Sequence, residues 1–250
     1  VKSEFGGSGD PQRSLELLWG TKAAPKRGPK QSMTVDRIGA VAIALADREG
    51  LAALSMRRVA EELKVSAMSL YTYVPSKAEL LDVMLDCVVG EREVDANASR
   101  GWREALEHWA RSSLALYVRH PWMLQVATHR PALGPHAMAM YEQGLRAVAQ
   151  TGSSDLDMDL IVSLVSDYVR GAARNVVDAA MAHSVTGQTD AEWWQRHQQA
   201  FASVFDASAF PLAARVGASV GEAYQAAHDP RRSFEFGLAR VLDGIASYLA

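Results

Sequence analysis

The stretch LSMRRVAEELKVSAMSLYTYVPSK, residues 54–77, limits what this chain can become more than any other segment. Ser55 stands where its hydroxyl can accept from the free N–H groups of a first helical turn. Val59, Ala60 and Leu63 then recur at helical spacing and give that helix one apolar face. Lys64-Val65-Ser66 breaks the run, and Ser66 caps a second short helix through Met68, Leu70, Tyr71 and Tyr73. Pro75 stops it, because the residue before a proline is driven out of the helical region. Two short helices joined by a tight turn lay the second helix into the major groove of DNA. Its outer side carries Ala67, Met68, Ser69, Thr72 and Tyr73, none of them acidic. Phosphates and base edges accept such a surface, whereas a row of carboxylates would be repelled.

The flanks fit that arrangement. Thr34 to Gly50 predicts a supporting helix, capped by Thr34, with Val35, Ile38, Val41, Ala42 and Leu45 on its apolar face and Gly50 at its end. Ser76 caps a longer helix, AELLDVMLDCVVGERE, that can bridge a head to a body. The net charge of −3 does not by itself advertise nucleic-acid binding, but its distribution does. Residues 21–80 hold ten Lys/Arg against six acids, residues 81–250 hold 14 Arg against 20 acids, and no lysine follows Lys77. A positive head on a negative body favours contact with DNA through the head alone.

These residues carry a resemblance. Thr34–Gly50, then SMRRVAEEL, then SLYTYV with Ser76-Lys77 opening the next helix, resemble the DNA-binding domain of the tetracycline-repressor (TetR) family. Leu70-Tyr71, Tyr73 and Lys77 match that family's pattern. The C-terminal part is similar more loosely, in helix count, in Trp102, in His129-Arg130-Pro131 and in SFEFGLARVLDGI. One departure is Lys64, where the family often has glycine; a left-handed turn residue there costs lysine more than glycine. The resemblance implies that Arg57, Lys77 and Tyr71 meet phosphates, that Ser55 and Met56 open the contact surface, and that Ser69, Thr72 and Tyr73 lie against the groove. Ala67 and Met68 would touch thymine methyls.

Residues 1–33 read as a flexible basic extension. VKSEFGGSGDPQ is polar and Gly-rich, RSLELLW can form a turn or two of amphipathic helix, and TKAAPKRGPKQS is too rich in proline and glycine for regular helix. Lys26, Arg27 and Lys30 can lie in a minor groove, or the segment is a solvated linker; alternatively Leu15, Leu18 and Trp19 dock on the body. Beyond Trp102 the pattern is helical throughout, with 210–218 read as mixed. The fold class is therefore all-α: a flexible extension (1–33), a three-helix helix-turn-helix domain (34–80) and a helical body (81–250). The 48% hydrophobic content supports a sizeable core, and no apolar run reaches the length of a membrane span. One cysteine, Cys87, leaves no internal disulfide and fits a reducing cytosol; without a nearby His or Lys it reads as a packed thiol.

No Gly-rich phosphate loop, G-x-S-x-G or H-E-x-x-H occurs, so an enzyme is not expected, and neither cofactor nor metal is called for. Five of six tryptophans fall between Trp102 and Trp194. The resemblance implies an apolar, aromatic effector cavity lined by Trp109, Ser113, Tyr117, Val89, Met138, Val162 and Ser166; a plain packed core is the alternative. In the family's tetracycline-binding branch magnesium is held partly by a histidine whose position here is Val126, which disfavours a metal-chelated drug. The helices at 156–183 and 231–250 carry more apolar positions than one internal face needs. Val169, Val176, Phe234, Leu238, Val241, Leu242 and Ile245, with Gly237 and Gly244 on nearly the same side, would form a homodimer interface, which the resemblance makes a four-helix bundle. The expected function is a cytoplasmic, ligand-responsive repressor that binds a palindromic double-stranded operator as a dimer and leaves it when a small molecule binds. The alternative is a helical small-molecule-binding protein that does not bind DNA.

Overall fold

The computed structural model describes residues 4–21, 33–93 and 101–250. Among these the chain is helical almost throughout, with two two-residue strands. It divides into two units, residues 1–167 with Leu249, and residues 168–248 with Ala250. No helix among the described residues is long and apolar enough to cross a membrane.

The head forms from local signals. Helices α2 (Val35–Glu49), α3 (Met56–Glu62), α4 (Ala67–Tyr73) and α5 (Lys77–Gly90) each start at a hydroxyl cap. Thr34, Ser55, Ser66 and Ser76 accept from the backbone N–H of Arg37, Arg58, Ser69 and Ala78 respectively. Such a cap contributes about 1 kcal/mol by satisfying donors that the first turn leaves free. The turn after α3 is a Schellman arrangement: Val65 N–H donates to the Ala60 carbonyl and Lys64 N–H to that of Glu61, both at 3.0 Å. Its left-handed residue is Lys64, at φ 58°. A Cβ in that region crowds the carbonyl oxygen, so Lys64→Gly should stabilise the protein by about 1 kcal/mol, less the added chain entropy of glycine. A melting temperature that falls in Lys64→Gly would show that the lysine side chain earns its place by another contact.

One apolar core runs through this head and into the first body helices. Ile38, Leu45, Leu54, Val59 and Leu70 join Leu80, Leu81, Met84 and Val88 of α5, and the cluster continues to Leu116, Trp122 and Val126. The boundary expected after residue 80 thus falls inside α5, which belongs to both parts. Because α5 is covered nearly all round, its acids Glu79, Asp82 and Asp86 are buried with it.

Two of those acids explain a difference from the expectation for the N-terminus. Residues 4–21 are not a free extension. Strand β1 (Glu4–Phe5) pairs in parallel with β2 (Val126–Ala127), and α1 (Pro11–Leu18) packs on α5. Asp82 accepts from Gly7 N–H at 2.8 Å and from Ser14 Oγ at 3.1 Å, and Glu79 accepts from Asp10 N–H at 3.1 Å. Leu17 is buried, and Trp19 Nε1 donates to the Leu133 carbonyl at 2.8 Å. Burial raises the Asp82 pKa, and the two donors work against that rise.

The body continues with α6 (Trp102–Arg119), α7 (Pro135–Val148) and the long α8 (Asp155–Thr186), which runs from the first unit into the second. The second unit adds α9 (Asp190–Ala202), α10 (Pro211–Tyr224) and α11 (Pro230–Leu249). Residues 210–218, read as mixed, start α10 with Pro211 at its first position, where the missing N–H costs nothing. In this unit Tyr168 stacks on Phe234 at 5.9 Å, and its hydroxyl donates to the Phe234 carbonyl at 2.7 Å.

Candidate functional site

Helix α4 presents the surface expected of a groove-reading element. Leu70 points into the core, which leaves Met68 (77% exposed), Ser69, Tyr71 and Thr72 outward. Ser69 Oγ lies 2.8 Å from Ser66 Oγ, and Thr72 Oγ1 donates to the Met68 carbonyl at 3.2 Å, so both hydroxyls keep acceptor capacity. Ala67 and Tyr73 are half-buried against the core and offer only part of their surface. On α3, Arg57 is exposed and pairs with Glu61 at 3.0 Å, a helix-surface pair that a phosphate can replace at little cost. Ser55 is half-buried at its cap. Met56 differs from the expectation: it is 6% exposed, with its side chain in the head's core. The residue following the cap turns inward with Val59 and Ala60, which puts Arg57 outward in its place.

Lys77 opens α5 beside this surface, and its Nζ donates to Glu4 Oε1 at 2.7 Å. The cation proposed for a phosphate is therefore held by a carboxylate of the N-terminal segment. Lys26, Arg27 and Lys30 lie outside the described residues.

The expected cavity residues fall in the first unit and divide into two sets. Trp109, Ser113 and Val162 are buried. A Cβ built on Gly144 would lie 3.0 Å from Val162 and 3.6 Å from Trp109, so α6, α7 and α8 are close-packed there. Trp109 Nε1 donates to the Met140 carbonyl at 3.2 Å, and the hydroxyls of Ser113 and Ser166 donate within their own helices. Val89 and Tyr117 are half-buried and packed against the head's core, Ser166 is half-buried, and Met138 is exposed. Val126 is buried in β2. Cys87 is packed against the core, and burial followed by Asp36, Asp86 and Glu91 pushes its thiol up to about 11, so it is no nucleophile at neutral pH.

Of the expected dimer residues, Val169, Val176, Phe234, Leu238, Leu242 and Ile245 are buried within the single chain, and Val241 is half-buried. Gly237 is used internally as well: a Cβ there would run into Tyr168 of the same unit. Gly244 has open space around it, and Phe236 and Tyr248 on the same helix are exposed. On α8 the exposed apolar positions within the first unit are Leu156, Leu160 and Leu164.

The sequence carries no sign that Arg92, just beyond α5, is buried, nor of the hydrogen-bonded link Asp47–His120–Glu91. His120 Nδ1 lies 2.9 Å from Asp47 Oδ1, its Nε2 lies 3.1 Å from Glu91, and Trp122 Nε1 donates to Asp47 at 2.8 Å. This ties the end of α2 to the ends of α5 and α6.

A capped helix-turn-helix head with an acid-free outer helix, fused through α5 to a helical body, defines a DNA-binding regulator of the one-component class. The description "Bacterial regulatory proteins, tetR family" matches residues 38–84, and "Tetracyclin repressor-like, C-terminal domain" matches residues 94–249. The chain belongs to the TetR family. It is 44% identical to the HTH-type transcriptional repressor DrrR1 of Streptomyces coeruleorubidus, over 99% of this chain and 90% of that one. The crystal structure of apo ActR from Streptomyces coelicolor is similar with a TM-score of 0.72 at 28% identity, covering 88% of this chain and 98% of that one. ActR in complex with actinorhodin is similar with a TM-score of 0.72 at 28% identity, over 86% and 96%.

Proposed function

We propose that this chain is a cytoplasmic repressor that binds a near-palindromic operator as a homodimer through paired α4 helices and is released by a small-molecule effector held among α5, α6, α7 and α8. The observation that carries this reading is the dual placement of α5. Leu80, Leu81 and Met84 close the core of the head, while Asp86 in its second half holds the start of α7 and Arg92, just past its end, reaches α6 and α7. An effector that binds one tilt of α5 better than another shifts the population toward it. Two heads joined by symmetry then leave the half-site spacing of roughly 34–36 Å. The likeness to a repressor and to a regulator solved with a small molecule supports both halves of this reading. A gel shift with the region upstream of the chain's own gene tests it; a protein that shifts no such DNA is the helical small-molecule binder instead.

Lys77 supplies a sharper test. Its ammonium sits at the N-terminal edge of α5, 2.7 Å from Glu4, and a DNA phosphate would compete for it. Lys77→Ala should weaken binding to every DNA sequence alike and lower the salt dependence by about one unit of slope. Fluorescence-anisotropy titrations across a salt series read both quantities, and an unchanged slope removes Lys77 from the interface.

A further inference from the structure

Arg92 is a buried charge that meets no opposite charge among the described residues. It is 7% exposed. Its guanidinium lies over the Trp109 ring with Cζ 5.5 Å from the centroid, donates to Gln143 Oε1 on α7, and reaches Ser112 Oγ on α6 at 3.4 Å. All three partners are neutral, and no carboxylate lies within ion-pair distance of it among the described residues. Burial alone, with no charged neighbour contributing, pulls its pKa down to about 10. The buried acids of α5 present the opposite case: each receives donors from the N-terminal segment, from Ser76 or from the start of α7. Removing a guanidinium from water without an anion is expensive, and folded cores rarely leave it so. A second polar atom waits nearby in sequence. His108 lies one helical turn before Ser112, and its Nε2 is buried with no hydrogen-bond partner among the described residues.

We infer that Arg92 anchors an organic carboxylate on the effector. The inference rests on the regulator reading and gives its effector a chemical class. The guanidinium carries five N–H donors in a planar fork, and Gln143 and Ser112 use only part of them. A carboxylate fits the remaining edge with two parallel bonds, which a neutral amide or alcohol cannot supply. Trp109 beneath the fork holds its plane, and the low dielectric of the site strengthens the pair relative to water.

Calorimetric titration of the full chain with 2-naphthoate and with 2-naphthamide, which share one ring system, tests this directly. The wild type should bind naphthoate about tenfold or more tightly than the amide. Arg92→Met should abolish that preference, and Arg92→Lys, which keeps the charge without the fork, should retain part of it. Without any ligand, Arg92→Met should melt no lower than the wild type, because it removes an uncompensated buried charge. A naphthoate that binds no better than the amide, or not at all, overturns the inference, as does a preference that survives Arg92→Met. A large fall in the melting temperature of Arg92→Met overturns it too, by making Arg92 a structural clasp. Operator binding by the wild type is measured in parallel. Loss of the carboxylate preference with operator binding intact sinks only this inference, whereas an Arg92-dependent preference in a protein that shifts no DNA sinks only the regulator reading.

Discussion

Leu242→Glu is expected to unfold the protein rather than to separate two folded protomers. Leu242 is 0% exposed within the single chain, so the new carboxylate would be cut off from water. Such a burial costs more than about 4 kcal/mol, a large share of the stability of an ordinary domain. Circular dichroism should show loss of the cooperative melt. Phe236→Glu, at 68% exposure on the same helix, should keep the fold. If the outer side of α11 around Phe236, Gly244 and Tyr248 meets a second copy, Phe236→Glu sediments as a monomer and no longer shifts operator DNA. A folded, dimeric Leu242→Glu protein would contradict the packing described for α11.

Asp86→Ala should lower the melting temperature by about 10 °C, from a loss of about 3 kcal/mol. Asp86 Oδ1 accepts from Ala137 N–H at 2.8 Å, and Oδ2 lies 2.9 Å from His136 Nδ1. The carboxylate thus meets the N-terminal end of α7, where free N–H groups and the helix dipole favour a negative charge. Alanine leaves the Ala137 N–H without its acceptor where Asp86 was buried, while the exposed His136 ring turns to water. Asp86→Asn keeps one acceptor oxygen and should lose less. Calorimetric melts of the three proteins check the order; an alanine variant within about two degrees of the wild type would mean that solvent replaces the carboxylate. The same bond ties α5 to α7, so a folded Asp86→Asn protein is also the place to look for weakened effector response.

Much of the head was legible in the sequence because its determinants are local. A hydroxyl at Thr34, Ser55, Ser66 or Ser76 satisfies N–H groups two or three residues away, so spacing along the chain suffices to find the caps. The left-handed turn at Lys64 is equally local. Periodicity also revealed that Phe234, Leu238, Leu242 and Ile245 share a face.

Only the tertiary structure decided what covers each face and what answers each buried charge. A stripe on a helix looks the same whether its own chain or a second copy packs on it, and here the single chain buries it. Met56 turned inward because the exit from its cap, not its residue type, sets its direction. The polar, Gly-rich start of the chain docks because its N–H groups meet Asp82 and Glu79, which lie far away in sequence. Nothing beside Arg92 in the sequence marks it as buried among neutral partners; that arrangement arises where α5, α6 and α7 converge. Short-range hydrogen bonds and helical periodicity are written into neighbouring residues, whereas desolvation depends on every atom the fold brings near, and so it belongs to the folded chain alone.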